Sequence, residues 1–566
     1  MKIIQFKTNF TLLLFFVTVF FSTAQAKNLE KFDDGENISN YFSGLLQLSE
    51  NNYDLSYKNF KKLEGLEDEY PKYSKKFIYS LINLGRFNEA FKYSKKLEKK
   101  GMNSFESDLI IGIYYLKKKN YSLSEKYFAK LNKKENSFVL TSFISESLLN
   151  WSSFKRLNLI SATNKIDIVE DKFSNLKKIQ SAFLHCFYQS NQTDVYFKKL
   201  IDDKKTDFSR YNYFYAIYLT NSIRIEEAKK IIDYSLEKHP RNILLKQFKI
   251  DLQNKKFLQT LNFDCKNVSH VIAEILYISA NALSSQSFYS ISNFYLNLAK
   301  YLNPEFIAFE TLLAENFFRI ENYNKAKRVY DKIKKVGPAY YWYSTKQKAK
   351  ILKKLNENDK AVELMMENFE KLKDKSIYEK FDYAEFLKNN KKYEKSVGYY
   401  SEVLKSVNIN HPIYAEATDG RGVAFERLGK WAEAEKDLKE SLRADPNQAY
   451  VINYLAYSWI EKGINIEKSL GMLKKANELK SDDPYIIDSL GWALYKLKKY
   501  QEAKKYLQMA VQLLPADPVI NDHFGDVLWM NNKKLQARYY WNYVLKLDET
   551  EDELKDSIII KLSSGI

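Results

Sequence analysis

Small residues recur at a fixed interval along the chain, between apolar positions that have helical spacing. In the first part, two sets of positions repeat every 34 residues: Gly44, Ile78 and Gly112, and twelve residues after each of these Ser56, Ala90 and Ser124. A large side chain often follows four residues later, as Phe60 follows Ser56. The pattern predicts repeated pairs of antiparallel helices that cross at small side chains.

The repeat is more regular in the second half of the chain. Small residues mark the first helix of each pair at Ala280, Ala314, Ala349, Ala384, Gly422, Ala456, Gly491 and Gly525, and the second helix at Ser292, Ala326, Ala361, Ser396, Ala434, Ser469, Ala503 and Ala537. Units begin near residues 37, 71, 105, 209, 273, 307, 342, 377, 415, 449, 484 and 518. Each pair has an apolar face that it cannot bury alone, so we predict an all-α solenoid in which stacked pairs form a concave inner face.

Three intervals depart from the period. Residues 138–208 have room for two further units but match poorly around Trp151 and Ala182. Residues 254–271 are polar and irregular, which predicts a linker or hinge between an N-terminal array, 27–253, and a C-terminal array, 272–551. The tail, residues 552–566, is acidic at its start and apolar at Ile558 to Ile560, which predicts a helix that caps the last pair.

One unit resembles the tetratricopeptide repeat in its Leu490-Gly491 pair, the later Ala503 and the closing Pro515. The pattern recurs about twelve times in register along the chain. The resemblance implies a right-handed α-solenoid of stacked helix pairs whose inner groove binds a protein or peptide segment. In that family, positions 2, 5, 9 and 12 of each first helix point into the groove.

This register selects candidate ligand contacts in the last three full units. The eight candidates are Asn453, Tyr457, Asp488, Trp492, Tyr495, Asp522, Asp526 and Trp529. Aromatic rings supply rigid contact area, and carboxylates can hold the Lys or Arg side chains of a bound segment. A structural role is the open alternative, in which the tryptophans fill space between helices and the aspartates lie at helix ends.

A longer motif runs from Asp488 to Tyr495 and continues in Asn521 to Asp526. Over about the last 120 residues it resembles a group of exported proteobacterial repeat proteins. Some of these are outer-membrane lipoproteins that present cell-wall enzymes to a periplasmic protease. The resemblance implies an adaptor role, with a periplasmic protease or a cell-wall enzyme as partner. Other family members grip a free C-terminus with Lys, Arg and Asn, whereas Asp488 and Asp522 occupy the matching positions here.

The first 26 residues have the features of an export signal. Two lysines precede a largely apolar run at residues 10–21, and Ala24-Gln25-Ala26 has the small-x-small pattern of a cleavage site. We predict cleavage after Ala26, a mature protein without a transmembrane segment, and periplasmic localisation. A retained anchor is the alternative, although the apolar run is shorter than the roughly 18–20 residues that cross a bilayer.

Composition and charge narrow the classes of function. Sixteen Gly and nine Pro in 566 residues favour long helices over hairpin-rich β folds. The 89 Lys and Arg residues outnumber the 71 Asp and Glu, yet only 11 are Arg, the residue on which nucleic-acid readers rely. We therefore predict no nucleic-acid partner. Lysine runs at 95–96 and 117–119 leave open a structural or membrane-surface role.

Cysteine, histidine and carboxylate positions predict neither catalysis nor metal binding. Cys186 and Cys265 are the two cysteines; free buried thiols are favoured, with a disulfide as the alternative. The five histidines are scattered without metal-ligand spacing. Asp522 and Asp526 could act as a carboxylate pair on a glycan, but i,i+4 spacing puts both on one wall of a cleft. We predict no catalytic residue, metal or cofactor, and a non-catalytic periplasmic scaffold or adaptor that acts in envelope or cell-wall enzyme control.

Overall fold

The computed structural model of the protein describes residues 35–70, 72–131, 139–169, 171–255 and 262–566. Regular structure in these ranges is helical and includes no strand, which confirms the predicted all-α solenoid. None of the helices in these ranges is long and apolar enough to cross a membrane. The predicted export signal, residues 1–26, lies outside the described residues.

The chain divides into two compact units, one that ends at Leu355 and one that comprises Asn356–Ile566. The described α-helices of the first unit are α1 Gly35–Ser49, α2 Tyr53–Lys62, α3 Tyr73–Asn83, α4 Phe87–Lys99, α5 Phe105–Lys117, α6 Tyr121–Leu131, α7 Val139–Ser153, α8 Leu159–Asp167, α9 Ser174–Phe187, α10 Thr193–Ile201, α11 Ser209–Asn221, α12 Ile225–Lys238, α13 Ile243–Gln253, α14 Val268–Ser285, α15 Tyr289–Leu302, α16 Ala308–Arg319, α17 Tyr323–Ile333 and α18 Pro338–Lys354. Short 3-10 turns lie at Phe154–Arg156 and Asp171–Phe173.

The second unit continues the alternation of first and second helices and ends with one additional helix. Its α-helices are α19 Asn358–Glu370, α20 Ile377–Lys388, α21 Tyr393–Lys405, α22 Pro412–Arg427, α23 Trp431–Ala444, α24 Ala449–Glu461, α25 Ile466–Leu479, α26 Pro484–Lys496, α27 Tyr500–Leu513, α28 Pro518–Met530, α29 Lys534–Val544 and α30 Asp552–Ser564. First helices of neighbouring pairs pack directly on one another, as α24 does on α26 and α26 on α28. The inner face is therefore a continuous surface built by first helices.

Each pair closes at the small residues that the sequence repeats. A Cβ atom added at Gly44 would lie 2.5 Å from the Phe60 ring. The Ser56 hydroxyl donates a hydrogen bond to the Gly44 carbonyl oxygen at 3.0 Å. The same bond recurs in three other pairs, from Ser124 to Gly112, from Ser292 to Ala280 and from Ser396 to Ala384. The twelve-residue spacing thus corresponds to a close crossing that larger side chains would prevent.

In the first unit, the inner face of the early pairs is covered by later helices. Its groove positions are apolar and at most 1% exposed at Ile82, Leu109, Ile113 and Leu116. Helix α15 packs on α3 and α5, and α14 packs on α7. Tyr79 on α3 stacks on Phe294 of α15 with ring centroids 4.4 Å apart. The first unit therefore fills its own early groove.

The division between units lies at Leu355, whereas the interval 254–271, predicted as a linker or hinge, lies inside the first unit. Residues 256–261 of that interval are outside the described ranges, and Val268 already begins α14. Helices on its two sides are joined by a buried ion pair, in which Arg210 donates to both Glu274 oxygens at 2.7 and 2.8 Å. The chain turns back here because the apolar inner face of the early pairs needs cover.

The two cysteines are joined, which corrects the expectation of free thiols. Cys186 on α9 and Cys265, just before α14, form a disulfide with Cα atoms 5.9 Å apart. The two residues are 79 positions apart in sequence, and they meet because α14 returns to the early helices. The bond therefore fixes the fold-back of the first unit.

The interval 138–208, predicted as two irregular units, contains four helices, α7 to α10. Trp151 takes a place in the core and is fully buried, as is Ala182. The Trp151 indole N–H donates to the Gln180 side-chain oxygen at 2.9 Å. A large ring at a crossing explains why small-residue matching fails in this interval.

We predict opposite effects of alanine at two glycines in neighbouring pairs. A Cβ at Gly491 would lie 2.7 Å from Leu507, so Gly491→Ala should lower the free energy of unfolding by about 1–3 kcal/mol. Gly471 on α25 has no heavy atom within 4 Å of the position that a Cβ would take. Gly471→Ala should therefore raise the free energy of unfolding by about 0.5–1 kcal/mol, because alanine favours the helix more than glycine does. Urea denaturation followed by circular dichroism measures both; a stabilising Gly491→Ala would contradict the close crossing.

A second prediction concerns the Cys186–Cys265 bond. Unfolded but unreduced protein should take up no iodoacetamide, and reduced protein should take up two equivalents, as read by intact mass. Loss of the bond in Cys186→Ser should lower the free energy of unfolding by about 2–5 kcal/mol. Two alkylated thiols without reduction would show that the bond is absent.

Candidate functional site

All eight candidate residues lie on the first helices of the second unit. They are Asn453 and Tyr457 on α24, Asp488, Trp492 and Tyr495 on α26, and Asp522, Asp526 and Trp529 on α28. Helices α26 and α28 begin alike, with a proline in the first turn after Asp483 or Asp517, whose carboxylate accepts backbone N–H groups. Because these helices start alike and pack side by side, residues at equal positions become neighbours.

Carboxylates on each first helix are bound by a donor on the next one. The four steps are Tyr454 Oη to Glu426 at 2.9 Å, Trp492 Nε1 to Glu461 at 2.6 Å, His523 Nδ1 to Asp488 at 3.0 Å, and Lys561 Nζ to Asp522 at 2.6 Å. We call these eight residues the carboxylate ladder. Charge-assisted hydrogen bonds of this kind are stronger than neutral ones, so the ladder stabilises the stacking of first helices from α22 to α30.

Trp492 is the centre of an aromatic stack that joins α26 to α28. Its ring lies parallel to Tyr495, with centroids 4.6 Å apart, and parallel to His523 at 3.9 Å. The Trp492 side chain is only 7% exposed. Lys496 places its ammonium group 4.7 Å from the ring centroid. The predicted stripe of Asp488, Trp492 and Tyr495 therefore exists as one cluster, but much of it packs on the following helix.

Asp522 and Asp526 share one ammonium group. Lys561 on α30 donates to Asp522 at 2.6 Å and to both oxygens of Asp526 at 2.8 and 2.9 Å. Trp541 on α29 also donates its indole N–H to Asp526 at 3.0 Å. Both carboxylates are buried. The pair is therefore occupied from within the unit by the terminal helix.

The remaining candidates have different surroundings. Trp529 lies beside Trp541, with ring centroids 5.4 Å apart, and beside the backbone of Gly565. Tyr457 is partly buried, with its ring centroid 6.4 Å from that of His523. The Asn453 side-chain oxygen is buried and has no hydrogen-bond partner among the described residues. The structure thus joins six of the eight candidates to buried neighbours and leaves Asn453 and Tyr457 at the upstream edge of the cluster.

His523 and Asp526 both hold protons more tightly than usual. Burial alone would lower the pKa of His523, but Asp488 outweighs it and raises that pKa above its ordinary value. Burial, reinforced by the neighbouring Asp522, raises the pKa of Asp526 to about 6, although Lys561 opposes the shift. The protonated imidazole of His523 and the Lys561 ammonium therefore compensate a cluster of three aspartates.

Beside the ladder, the first helices α22, α24 and α26 carry a carboxylate without a hydrogen bond and two exposed rings. Asp419 on α22 occupies the position equivalent to Asp488, and it has no hydrogen-bond partner in the described part of the chain. Burial raises the pKa of Asp419 to about 6. Tyr450 and Tyr485, at the second position of α24 and α26, are 54% and 53% exposed. The Tyr450 hydroxyl donates to Asp483 at 2.9 Å, and its ring lies beside Lys480, yet more than half of each tyrosine remains open to solvent.

Sequence reasoning missed several members of the cluster. His523 was placed among scattered histidines, yet it lies 35 residues after Asp488, one repeat further along. This spacing of about one repeat is the sequence feature that could have predicted the contact between His523 and Asp488. Lys561 had no such signal, because it belongs to the tail and reaches Asp522 from 39 residues away.

Residues 319–550 match a family model described as Tetratricopeptide repeat. This part of the chain resembles tetratricopeptide-repeat proteins. The chain is similar to the TPR repeat-containing protein PA4667 of Pseudomonas aeruginosa, with 28% identity over 196 residues. That match covers 34% of this chain and about a third, 32%, of the curated relative.

Solved structures with similar helix pairs cover about a third of this chain. PilF of Pseudomonas aeruginosa is 18% identical and covers 33% of this chain and 88% of its own, with a TM-score of 0.28. MamA of Desulfovibrio magneticus is 17% identical and covers 31% of this chain and 97% of its own, with a TM-score of 0.27.

We predict that the His523–Asp488 contact makes stability depend on pH. Because the folded pKa of His523 is raised, its stabilising contribution is fully present below its unfolded pKa of 6.5 and is lost as pH rises through the folded pKa. His523→Gln should therefore cost on the order of 3 kcal/mol of unfolding free energy at pH 6 and less at pH 9. Asp488→Asn, the matched variant, should lose the same pH-dependent part. Equal costs at both pH values would contradict the charged pair.

Proposed function

We propose that this protein is a non-catalytic periplasmic scaffold whose second unit binds a positively charged segment of a partner protein on its inner face. Tetratricopeptide repeats support a protein-binding scaffold role in general. The observation that carries the proposal is the contrast between units. The early groove of the first unit is filled by α14 and α15, whereas Tyr450 and Tyr485 remain exposed on the inner face of the second.

The chemistry of that face favours a basic ligand. Asp419 has no hydrogen-bond partner in the described structure. Burial raises its pKa; the nearby Lys388 opposes the rise, and the carboxylates of Glu385 and Glu416 add to it. An Arg or Lys side chain placed there would pair with Asp419 and lower its raised pKa. Tyr450 and Tyr485, on α24 and α26, supply exposed rigid rings of the kind that dominate binding energy in protein interfaces.

Export to the periplasm is supported by two features. The first 26 residues have the pattern of a cleavable signal. The Cys186–Cys265 disulfide is the kind of bond that persists in oxidising compartments. Together with the resemblance to exported adaptors, these features favour partners that act on the envelope or the cell wall, such as a periplasmic protease or a cell-wall enzyme.

The two alternative functions receive less support. A membrane-surface role would need free lysines, but Lys117 donates to the Leu302 carbonyl oxygen and Lys95 to Glu98, so part of each run is bound within the first unit. A glycan-active enzyme would need a working carboxylate pair, but Asp522 and Asp526 both bind Lys561. The inner groove is therefore the favoured functional surface.

Partner capture from envelope extract tests the proposal. We expect Tyr450→Ser combined with Tyr485→Ser to weaken capture of specific partners by about tenfold, because two exposed rings leave the groove. Raising the salt concentration should release the same partners, since exposed ion pairs are screened.

Tyr539→Ser is the matched control, because Tyr539 is also exposed but lies on the second helix α29. This variant should capture partners as the parent protein does. Quantitative mass spectrometry of the captured proteins measures the effects of the double variant, of salt and of the control variant. Identical captured sets from the parent and the double variant would contradict a role for this face.

A further inference from the structure

The first described helix, α1, exposes an apolar stripe. Ile38, Phe42 and Leu46 are 37%, 63% and 56% exposed, and their spacing of four residues places them along one side of the helix. Phe42 and Leu46 lie two positions before and after Gly44, so they are on the side opposite the crossing with α2. Among the described residues, the stripe therefore has no cover that hides it from solvent.

In the next two pairs, the position equivalent to Leu46 is covered by the preceding pair. The Ser80 hydroxyl on α3 is hydrogen-bonded to that of Ser56 on α2 at 2.9 Å, and Ser80 is fully buried. One repeat later, Tyr114 on α5 stacks on Phe91 of α4, with ring centroids 3.7 Å apart. Both contacts come from the second helix of the preceding pair. The stripe on α1 therefore lies where such a second helix would pack.

The last pair of the chain has such a cover. Leu554, Ile558 and Leu562 of α30 pack with the core that contains Phe524 and Trp541. Terminal units of a repeat array need a cover of this kind, because each pair has an apolar face that it cannot bury alone. The same requirement applies to α1 at the other end of the repeats.

The eight residues directly before α1 repeat the end of a second helix. Residues 27–34 read KNLEKFDD, and residues 61–68, one 34-residue period later, read KKLEGLED. Leu29 thus has the same place in the repeat as Leu63, Leu97 and Leu131, all of which are fully buried. The repeat pattern therefore continues upstream of the described residues, and it places an apolar side chain where the later units bury one.

Length and composition both suit this segment to the stripe. Eight extended residues span about 26–29 Å, whereas the 15 residues of α1 span about 22 Å, so the segment can reach back along the helix. Leu29 and Phe32 are its apolar residues, and the other six are polar and can face solvent. A second copy of the chain is a poorer cover, because a stable dimer buries roughly 800 Å² per partner, far more than three side chains offer.

We propose that residues 27–34 are a partial repeat that packs Leu29 and Phe32 on the stripe of α1 and so closes the first end of the array. These residues follow the predicted cleavage site at Ala26, so export leaves them on the mature chain. Attachment at Gly35 holds the segment beside the stripe at high effective concentration.

Variants of the mature chain, residues 27–566, test the proposal. Leu29→Ser combined with Phe32→Ser removes both apolar contacts of the segment. Lys31→Ser is the matched control, because its counterpart one repeat later, Gly65, is exposed. Hydrogen exchange of residues 35–49, read by mass spectrometry, reports the cover of α1, and light scattering reports the oligomeric state.

We expect α1 to exchange at least about tenfold faster in the Leu29→Ser/Phe32→Ser chain than in the parent, because the apolar cover that protects it is lost. The Lys31→Ser chain should exchange as the parent does.

A second pair of substitutions examines the other side of the contact. Phe42→Ser combined with Leu46→Ser should itself speed the exchange of α1. In that background, adding Leu29→Ser and Phe32→Ser should have little further effect, because the contact between segment and stripe is already lost.

Three results would overturn the proposal. The first is equal exchange of α1 in the parent and in the Leu29→Ser/Phe32→Ser chain. The second is full additivity of the two pairs of substitutions, which would show that they act without touching. The third is a dimer of the parent chain that dissociates on Phe42→Ser, which would assign the stripe to a second copy.

Discussion

The close crossing of two helices at small side chains is the constraint on which the rest of the fold depends. It brings the Phe60 ring against Gly44 and lets a serine hydroxyl bond a carbonyl oxygen of the partner helix. Where pairs cross in this way, first helices of neighbouring pairs pack directly on one another. Neighbouring first helices then place equal positions side by side, and this repetition turns single side chains into ladders and stacks.

Both units use the same pairs but give their inner faces different chemistry. Apolar groove residues such as Leu109 and Ile113 in the first unit must be buried, and α14 and α15 bury them. Carboxylates and rings in the second unit bind each other along the stack, and Tyr450 and Tyr485 remain exposed beside them. The repeated backbone therefore does not determine which groove can bind a ligand. The side chains at the groove positions determine it.

The sequence predicts those features that depend on the spacing of residues within one repeat. The 34-residue repeat gave the helix pairs, and the groove register brought Asp488, Trp492 and Tyr495 onto one helix as expected. It could not predict contacts that form only when distant helices meet. The disulfide between Cys186 and Cys265 requires the return of α14, and the pairing of Lys561 with Asp522 requires the tail to lie against α28. In both cases the two residues are far apart in sequence, and they become neighbours only when the helices pack.

Site-specific photo-cross-linking in intact cells tests most directly whether ligand recognition belongs to the inner face of the second unit. A photoreactive amino acid replaces Tyr485 on α26 in one strain and Tyr539 on α29 in another, both at exposed positions. We expect a partner protein to be cross-linked from position 485, with little product from position 539. Product from position 539 alone, or none from 485 while partners are still captured, would contradict binding in this groove.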